Sequence, residues 1–256
     1  MVERWRLLDT GLNDAFYNMA LDEAITIARS RNLVPNTVRF FRWEPSAVSI
    51  GYFQSMEDEV DLAACKRMGV DCVRRVTGGG AVYHDRDGEL TYSLVVKEDH
   101  RLISRDILET YRVLCSGLVA GLRLLKVPAE FKPINDIVVD GKKISGNAQT
   151  RRFGVVHQHG TILRDVNPTL MFTLLKVPSE KIRDKLIKSV EERVTSINRY
   201  LGREVRFEEL KAALKRGFEE AYRVELVPGN LTEFEERLAS KLKAEKYSTR
   251  EWNFKR

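Results

Sequence analysis

Cysteine is scarce: Cys65, Cys72 and Cys115 stand far apart, with no C-x-x-C pair. An odd, scattered set argues against a disulfide framework and against a cysteine-ligated zinc. Cys72 in an expected strand and Cys115 in an expected helix read as small buried thiols. No apolar run is long enough to span a membrane, and Glu3, Arg4 and Arg6 do not make a signal peptide. The expected location is therefore cytoplasmic. Low-complexity tracts and internal repeats are absent. Glutamine is limited to Gln54, Gln149 and Gln158 beside abundant Lys, Arg and Glu, a balance that points toward a thermophile. The G-x-G-x-x-G order of a dinucleotide site is missing, and no Gly-Lys-Ser/Thr follows a glycine loop.

What is present is a chain of 256 residues, 43% hydrophobic and 31% charged, long enough to bury a substantial core. Its net charge of +6 raises nucleic acid as a partner class. The basic residues are interleaved with acids through most expected helices, and no recognition motif or basic arm occurs. A positive cleft for an anionic substrate, or a surface for an acidic protein, explains the charge equally well.

The chain centres on R-R-V-T-G-G-G-A-V-Y-H-D at 74–85. Three glycines let the main chain turn sharply and lie against a ligand. Free N–H groups in such a loop can cradle an anion, and the adjacent arginines add fork-shaped donors. The bland alternative is a glycine-rich hairpin between strands at 70–76 and 81–83 with two solvated arginines.

Periodicity predicts helices at 13–31, 58–68, 104–125 (capped by Ser104), 169–176, 179–192, 207–222 and 232–246. Thr232 with Glu235 resembles a capping box. Strands are expected at 38–43, 47–52, 90–96 and 154–163, with short ones at 204–207 and 222–227. Asp140-Gly141 between two apolar runs marks a two-residue hairpin. It would pair Val139 with Lys142, Val138 with Lys143, and Asp136 with Ser145, placing acid, ammonium and hydroxyl on one face. His157 and His159 share a strand face; with no third ligand nearby in sequence, hydrogen-bonded pocket histidines are favoured over a metal site.

Taken together, these residues resemble the lipoate–protein ligases, within the larger group that includes biotin–protein ligases. The segments that carry the resemblance, in order, are the 74–85 motif, Asn135-Asp136, K-I-S-G-N-A at 143–148, H-Q-H-G-T-I-L at 157–163, and S-V-E-E-R-V-T-S-I at 189–197. The tail Glu251-Trp252-Asn253-Phe254 resembles the end of the family's large domain. The resemblance implies an α+β fold with a mostly antiparallel sheet flanked by helices, and residues 1–256 as one catalytic domain.

It further implies two half-reactions: lipoate and ATP give lipoyl-adenylate, and a lysine on a carrier domain then takes the acyl group. Lys143 would stabilise charge between the lipoyl carbonyl and the α-phosphate. Arg74, Thr77, Gly78, Gly79 and Gly80 would form the lipoate loop, with His84, Ser145 and Gly146 nearby. Trp43 and His159 would wall the acyl pocket. Asn135 and Asp136 would serve the phosphate side, Asp136 as the Mg²⁺ ligand. Lys185, Ser189 and Val190 would lie on the loop covering the adenylate. Leu186 and Glu191 depart from the family pattern there. The implied partners are lipoyl carrier domains, of the 2-oxoacid dehydrogenase acyltransferase subunit and of the glycine cleavage H protein. Lacking the accessory domain of single-chain ligases, the chain is expected to need a small accessory subunit for activation.

Two other classes stand beside the ligase. Octanoyltransferases share the fold but move an acyl group between carriers without ATP, using a cysteine thiolate; no cysteine occupies either of the positions they use. A non-enzymatic lipoyl- or nucleotide-binding protein would keep the pocket but not require Lys143 and Asp136.

Overall fold

In the computed structural model, residues 2–176 and 180–256 are described, with side chains at 180, 181, 183 and 184 left aside. The molecule is α+β, as expected. An eight-stranded sheet runs in the order β11-β1-β2-β6-β10-β9-β8-β7. Its strands are β1 (Glu3–Asn13), β2 (Thr37–Trp43), β6 (Glu89–Lys97), β7 (Glu130–Lys132), β8 (Asp136–Val139), β9 (Lys142–Arg152), β10 (Val155–Leu163) and β11 (Val224–Pro228). Within this sheet, among the described residues, only β1 runs parallel to its neighbours β2 and β11, and the other pairings are antiparallel. A second sheet places β3 (Ala47–Ile50) between β4 (Asp71–Arg74) and β5 (Val82–His84).

The largest core lies between the large sheet and helices α4 (Ile107–Leu124) and α8 (Phe207–Tyr222). Leu114, Leu118 and Leu122 of α4 recur at helical spacing and bury completely against Leu210, Leu214 and Phe218 of α8. On the other face, α1 (Ala15–Ser30) sets Leu21, Ala24 and Ile25 against Leu8 and Val95. Asp14 begins α1 by accepting from Tyr17 N at 2.9 Å. Thr232 and Glu235 form the anticipated capping box of α9 (Glu233–Leu242), which continues as one π turn, Lys243–Tyr247. Among the described residues, no helix is long and apolar enough to cross a membrane.

Several local expectations are corrected. The helix expected at 58–68 is two, α2 (Met56–Glu59) and α3 (Leu62–Met68), because Val60 bridges to Leu175 and Asp61 caps the second. Asp106, not Ser104, caps α4; the Ser104 hydroxyl instead accepts from Asp106 N. Residues 204–206 form no strand. The glycine loop is not a hairpin: β4 and β5 both pair with β3 and never with each other. The remaining helices are α5 (Pro168–Leu174), α6 (Glu180–Arg193), α7 (Ile197–Leu201) and α10 (Arg250–Asn253). Residues 177–179, at the start of the helix expected at 179–192, lie outside the described residues.

Candidate active site

Between the two sheets lies a cavity of about 360 Å³, bordered by Val190 of α6 and by Val194 just beyond that helix. Met19, Trp43, Val82, Leu163 and Met171 supply apolar wall. Gly79 and Gly80 of the loop line it directly, which their missing side chains allow. Gly79 sits at φ +94°, and a Cβ on Gly51 would lie 2.0 Å from its carbonyl oxygen, so the loop rests on Gly51 without clearance.

The two arginines of the motif divide the work. Arg74 is fully buried and turned away from the cavity, its guanidinium donating to the carbonyls of Gly51, Tyr52, Trp252 and Asn253. It clamps the C-terminal segment to β4 rather than forming the lipoate loop. Arg75, the second of the two fork-shaped donors, lines the cavity instead. Its Nη2 ties the glycine loop through the carbonyls of Gly78 and Gly80 at 2.7 and 2.8 Å, and burial pulls its pKa down to about 10.

Thr77 also lies behind the loop, fully buried, with its Oγ1 2.7 Å from His159 Nε2. His159 Nδ1 is 3.3 Å from Asp22 Oδ2 on α1, and Asp22 is paired with the buried Arg39 at 2.7 Å. Burial alone would raise the Asp22 carboxyl; the charge of Arg39, together with His157 and His159, overrides it and holds the group well below the ordinary range. Burial pushes His159 down to about 4, so its imidazole is neutral near pH 7. His157 Nε2 is likewise 3.3 Å from Asp22 Oδ2, but out of line for a hydrogen bond. Asp22, His157 and His159 thus gather three potential metal donors, the third supplied from a distant helix. Arg39 already neutralises the carboxylate, and a divalent ion beside that guanidinium would face an unbalanced buried positive charge. His159 is hydrogen-bonded and lines the cavity, whereas His157 has no hydrogen-bond partner among the described residues and does not line it.

The Asp140-Gly141 turn forms as expected, with φ of +48° and +76°. Val139 pairs with Lys142 and Val138 with Lys143, but a bulge then shifts the register, so Asp136 faces Gly146 and Ile137 faces Ser145. The bulge leaves Ser145 fully buried and off the cavity wall. Lys143 still reaches Asp136 at 2.6 Å. Lys143, Gly146 and Asn135 line the cavity, whereas Asp136 stands behind Lys143. The Asp136 carboxylate is thus taken up by the Lys143 ammonium rather than left free for Mg²⁺. Asn147, part of the 143–148 motif but given no role there, holds this corner by donating to Asn135 O at 2.8 Å and accepting from Tyr92 OH at 2.6 Å. On α6, Val190 lines the cavity while Ser189 does not, and Lys185 is exposed.

None of the three thiols lines the cavity. Cys65 and Cys115 are buried and Cys72 half-buried, and burial pushes Cys115 up to about 12.

A mostly antiparallel sheet flanked by helices, with the glycine loop and the lysine of β9 facing one cavity, defines the α+β class of protein-lipoylation enzymes. The chain belongs to the family described as the lipoyl protein ligase A/B catalytic domain, which matches residues 14–219. It is 40% identical to the octanoyltransferase LipM of Geobacillus kaustophilus, over 99% of each chain. It is 43% identical to the octanoyltransferase LipM of Kyrpidia tusciae, over 100% of each. Among solved structures it is similar to a bi-partite lipoate protein ligase from Thermoplasma acidophilum, described with its E2 lipoyl domain (TM-score 0.89, 37% identity, 98% of this chain and 96% of that one). It is also similar to lipoate-protein ligase A bound with ATP (TM-score 0.84, 35% identity, 99% of each).

These relatives correct the activity expected from the sequence. ATP-dependent activation of lipoate, making the chain an acyl-adenylate-forming ligase, is overturned by end-to-end similarity to octanoyltransferases. The missing cysteine had weighed against transfer. It excludes a thiolate at those positions, but not acyl transfer itself.

Proposed function

We propose that this chain is an ATP-independent acyltransferase that moves an octanoyl or lipoyl group from an activated donor to a lysine of a lipoyl-type carrier domain. The observation that carries the reading is the similarity to octanoyltransferases over the whole chain, combined with a largely apolar cavity that the half-exposed Lys143 enters. An acyl chain buries its methylenes against Trp43, Met19 and Val82, at roughly 0.8 kcal/mol per CH₂. The Lys143 ammonium faces the carbonyl end, where it stabilises the oxyanion of a tetrahedral intermediate. Asp136 holds that ammonium in place.

Residues 1–256 act as one catalytic unit in this proposal. ATP and Mg²⁺ have no role, because the donor arrives already activated, and a small accessory subunit, expected only for activation, has none either. The lipoyl domain described with the Thermoplasma protein supports the choice of acceptor.

The test supplies the purified chain and a lipoyl domain with octanoyl-carrier thioester, or with lipoate plus Mg·ATP, and follows the acceptor by intact mass. Acylation from the thioester is expected without nucleotide. Acylation from the free acid and ATP alone overturns the reading.

A further inference from the structure

Sheet register fixes how far the cavity runs from Lys143. Gly146 of β9 lies opposite Thr161 of β10, and Thr161 lies opposite Thr91 of β6, so the three stand in one row across the sheet. All three line the cavity. Neighbouring strands are about 4.8 Å apart, which puts Thr91 about 10 Å from Gly146. The Lys143 ammonium marks the Gly146 end of the row, since a Cβ on that glycine would lie 2.8 Å from Nζ. An extended eight-carbon acyl chain spans about 9 Å from carbonyl carbon to methyl. With its carbonyl at Lys143, such a chain laid along the row ends at Thr91.

The wall at that end is a set of linked polar bonds. Thr91 Oγ1 donates to Glu89 Oε1 at 2.6 Å and accepts from Trp43 Nε1 at 2.8 Å. The same Glu89 oxygen lies 2.8 Å from His84 Nδ1, and His84 Nε2 lies 2.7 Å from Ser49 Oγ. Ser49, His84 and Glu89 are buried, and all three line the cavity. Strand pairing gathers them. Ser49 lies opposite Val82 in the β3–β5 pair, which puts His84 on the diagonal of the same face. The 85–88 turn then returns the chain to Glu89, first residue of β6. A carboxylate accepts only, so His84 Nδ1 carries the hydrogen and the Ser49 hydroxyl donates to Nε2. Trp43 stacks on the imidazole at 4.1 Å and 18°, and Arg75 Nη1 holds Ser49 by its carbonyl and its Oγ, each at 3.1 Å. Bonded at both nitrogens and stacked on one face, the ring cannot swing aside without stranding a buried polar partner.

We propose that Ser49, His84 and Glu89 set the length limit of the acyl group: the chain is measured from Lys143, and an eight-carbon tail stops where these three residues stand. The proposal rests on the transferase reading, which puts the carbonyl at Lys143. The three residues touch the tail and take no part in the bond changes. Shorter tails forfeit the burial of the missing methylenes. Longer tails gain nothing further, because two more methylenes reach about 2.5 Å into bonded polar atoms. They must either fold back on Trp43 and Met19 or part the Ser49–His84–Glu89 bonds. A loss of about 10-fold or more for a ten-carbon tail follows. A lipoyl group is also built on eight carbons, so it ends at the same wall.

The experiment measures kcat/KM for transfer to a lipoyl domain from six-, eight-, ten- and twelve-carbon acyl-carrier thioesters, with wild type, His84→Ala and Ser49→Val. His84→Ala removes the ring at the end of the row and is expected to raise the ten- to eight-carbon ratio by about 10-fold or more. Ser49→Val fills that end and is expected to raise the six- to eight-carbon ratio. A residue that only held the fold would lower all chain lengths together. In parallel, wild type is irradiated with an eight-carbon acid carrying a diazirine at its penultimate carbon, and the label is mapped by mass. Label is expected on the peptides bearing Ser49, His84 or Glu89. Chain-length ratios unchanged in both folded variants, or label confined to the peptides of Asn135 and Lys143, overturns the proposal. Wild type inert toward every thioester overturns the transferase reading instead. The label then decides the length limit, as it does where a variant fails to fold.

Discussion

Lys143 Nζ lies 2.6 Å from Asp136 Oδ1 across the β8–β9 hairpin, and a Cβ added to Gly146 would meet that same Nζ at 2.8 Å. The ammonium is thus seated between a carboxylate and a glycine that leaves it room. Lys143→Ala is expected to lower transfer by about 100-fold or more while leaving the melting temperature little changed, since a half-exposed ion pair contributes little to stability. Activity and thermal melts measured on the same sample check both parts.

The glycine loop rests on Gly51 with no spare volume. Gly51→Ala drives a Cβ into main-chain atoms that cannot swing aside, so a loss of about 1–3 kcal/mol is expected in urea unfolding. Transfer should fall with it, because Gly79 and Gly80 are displaced from the cavity wall.

Asp22 and Arg39 are paired at 2.7 Å with both side chains buried. Asp22→Ala strands the guanidinium and is expected to cost about 3–5 kcal/mol. Replacing both residues, Asp22→Ala with Arg39→Met, should cost less than the single change. A double-mutant cycle in urea measures this.

His159 titrates at about 4 in the fold and near its ordinary value when unfolded. Between about pH 6.5 and 4 the unfolded chain therefore binds the extra proton. Stability from this group is fully present above that window and is lost as pH falls through it, by at most about 3 kcal/mol. The difference in stability between wild type and His159→Gln, followed from pH 7.5 to 4, should shrink on acidification. A flat difference would refute the assignment.

No thiol lines the cavity, and burial holds Cys115 protonated. A variant with Cys65, Cys72 and Cys115 all changed to Ala is expected to transfer acyl groups within about threefold of wild type at a temperature where it is folded. Loss of activity in the folded variant would assign a thiol to the reaction.

Much of the site was legible in the chain itself, because its signals are local. Three adjacent glycines, an Asp-Gly turn between apolar runs, and a lysine two residues beyond that turn define short-range backbone geometry that survives in any fold. The helical stripe of Leu114, Leu118 and Leu122 announced a buried face for the same reason. Strand pairing, bulges and burial are different, since they depend on segments far apart in sequence. Only the tertiary structure placed β3 between β4 and β5, turned Arg74 away from the cavity and Arg75 into it, and withdrew Ser145 through a bulge. It also brought Asp22 from α1 to His159, and Glu89 round a turn to His84 and Ser49. The residue types state what chemistry is available; which of them share a cavity is decided by packing, where water is excluded and every buried polar group must find its partner.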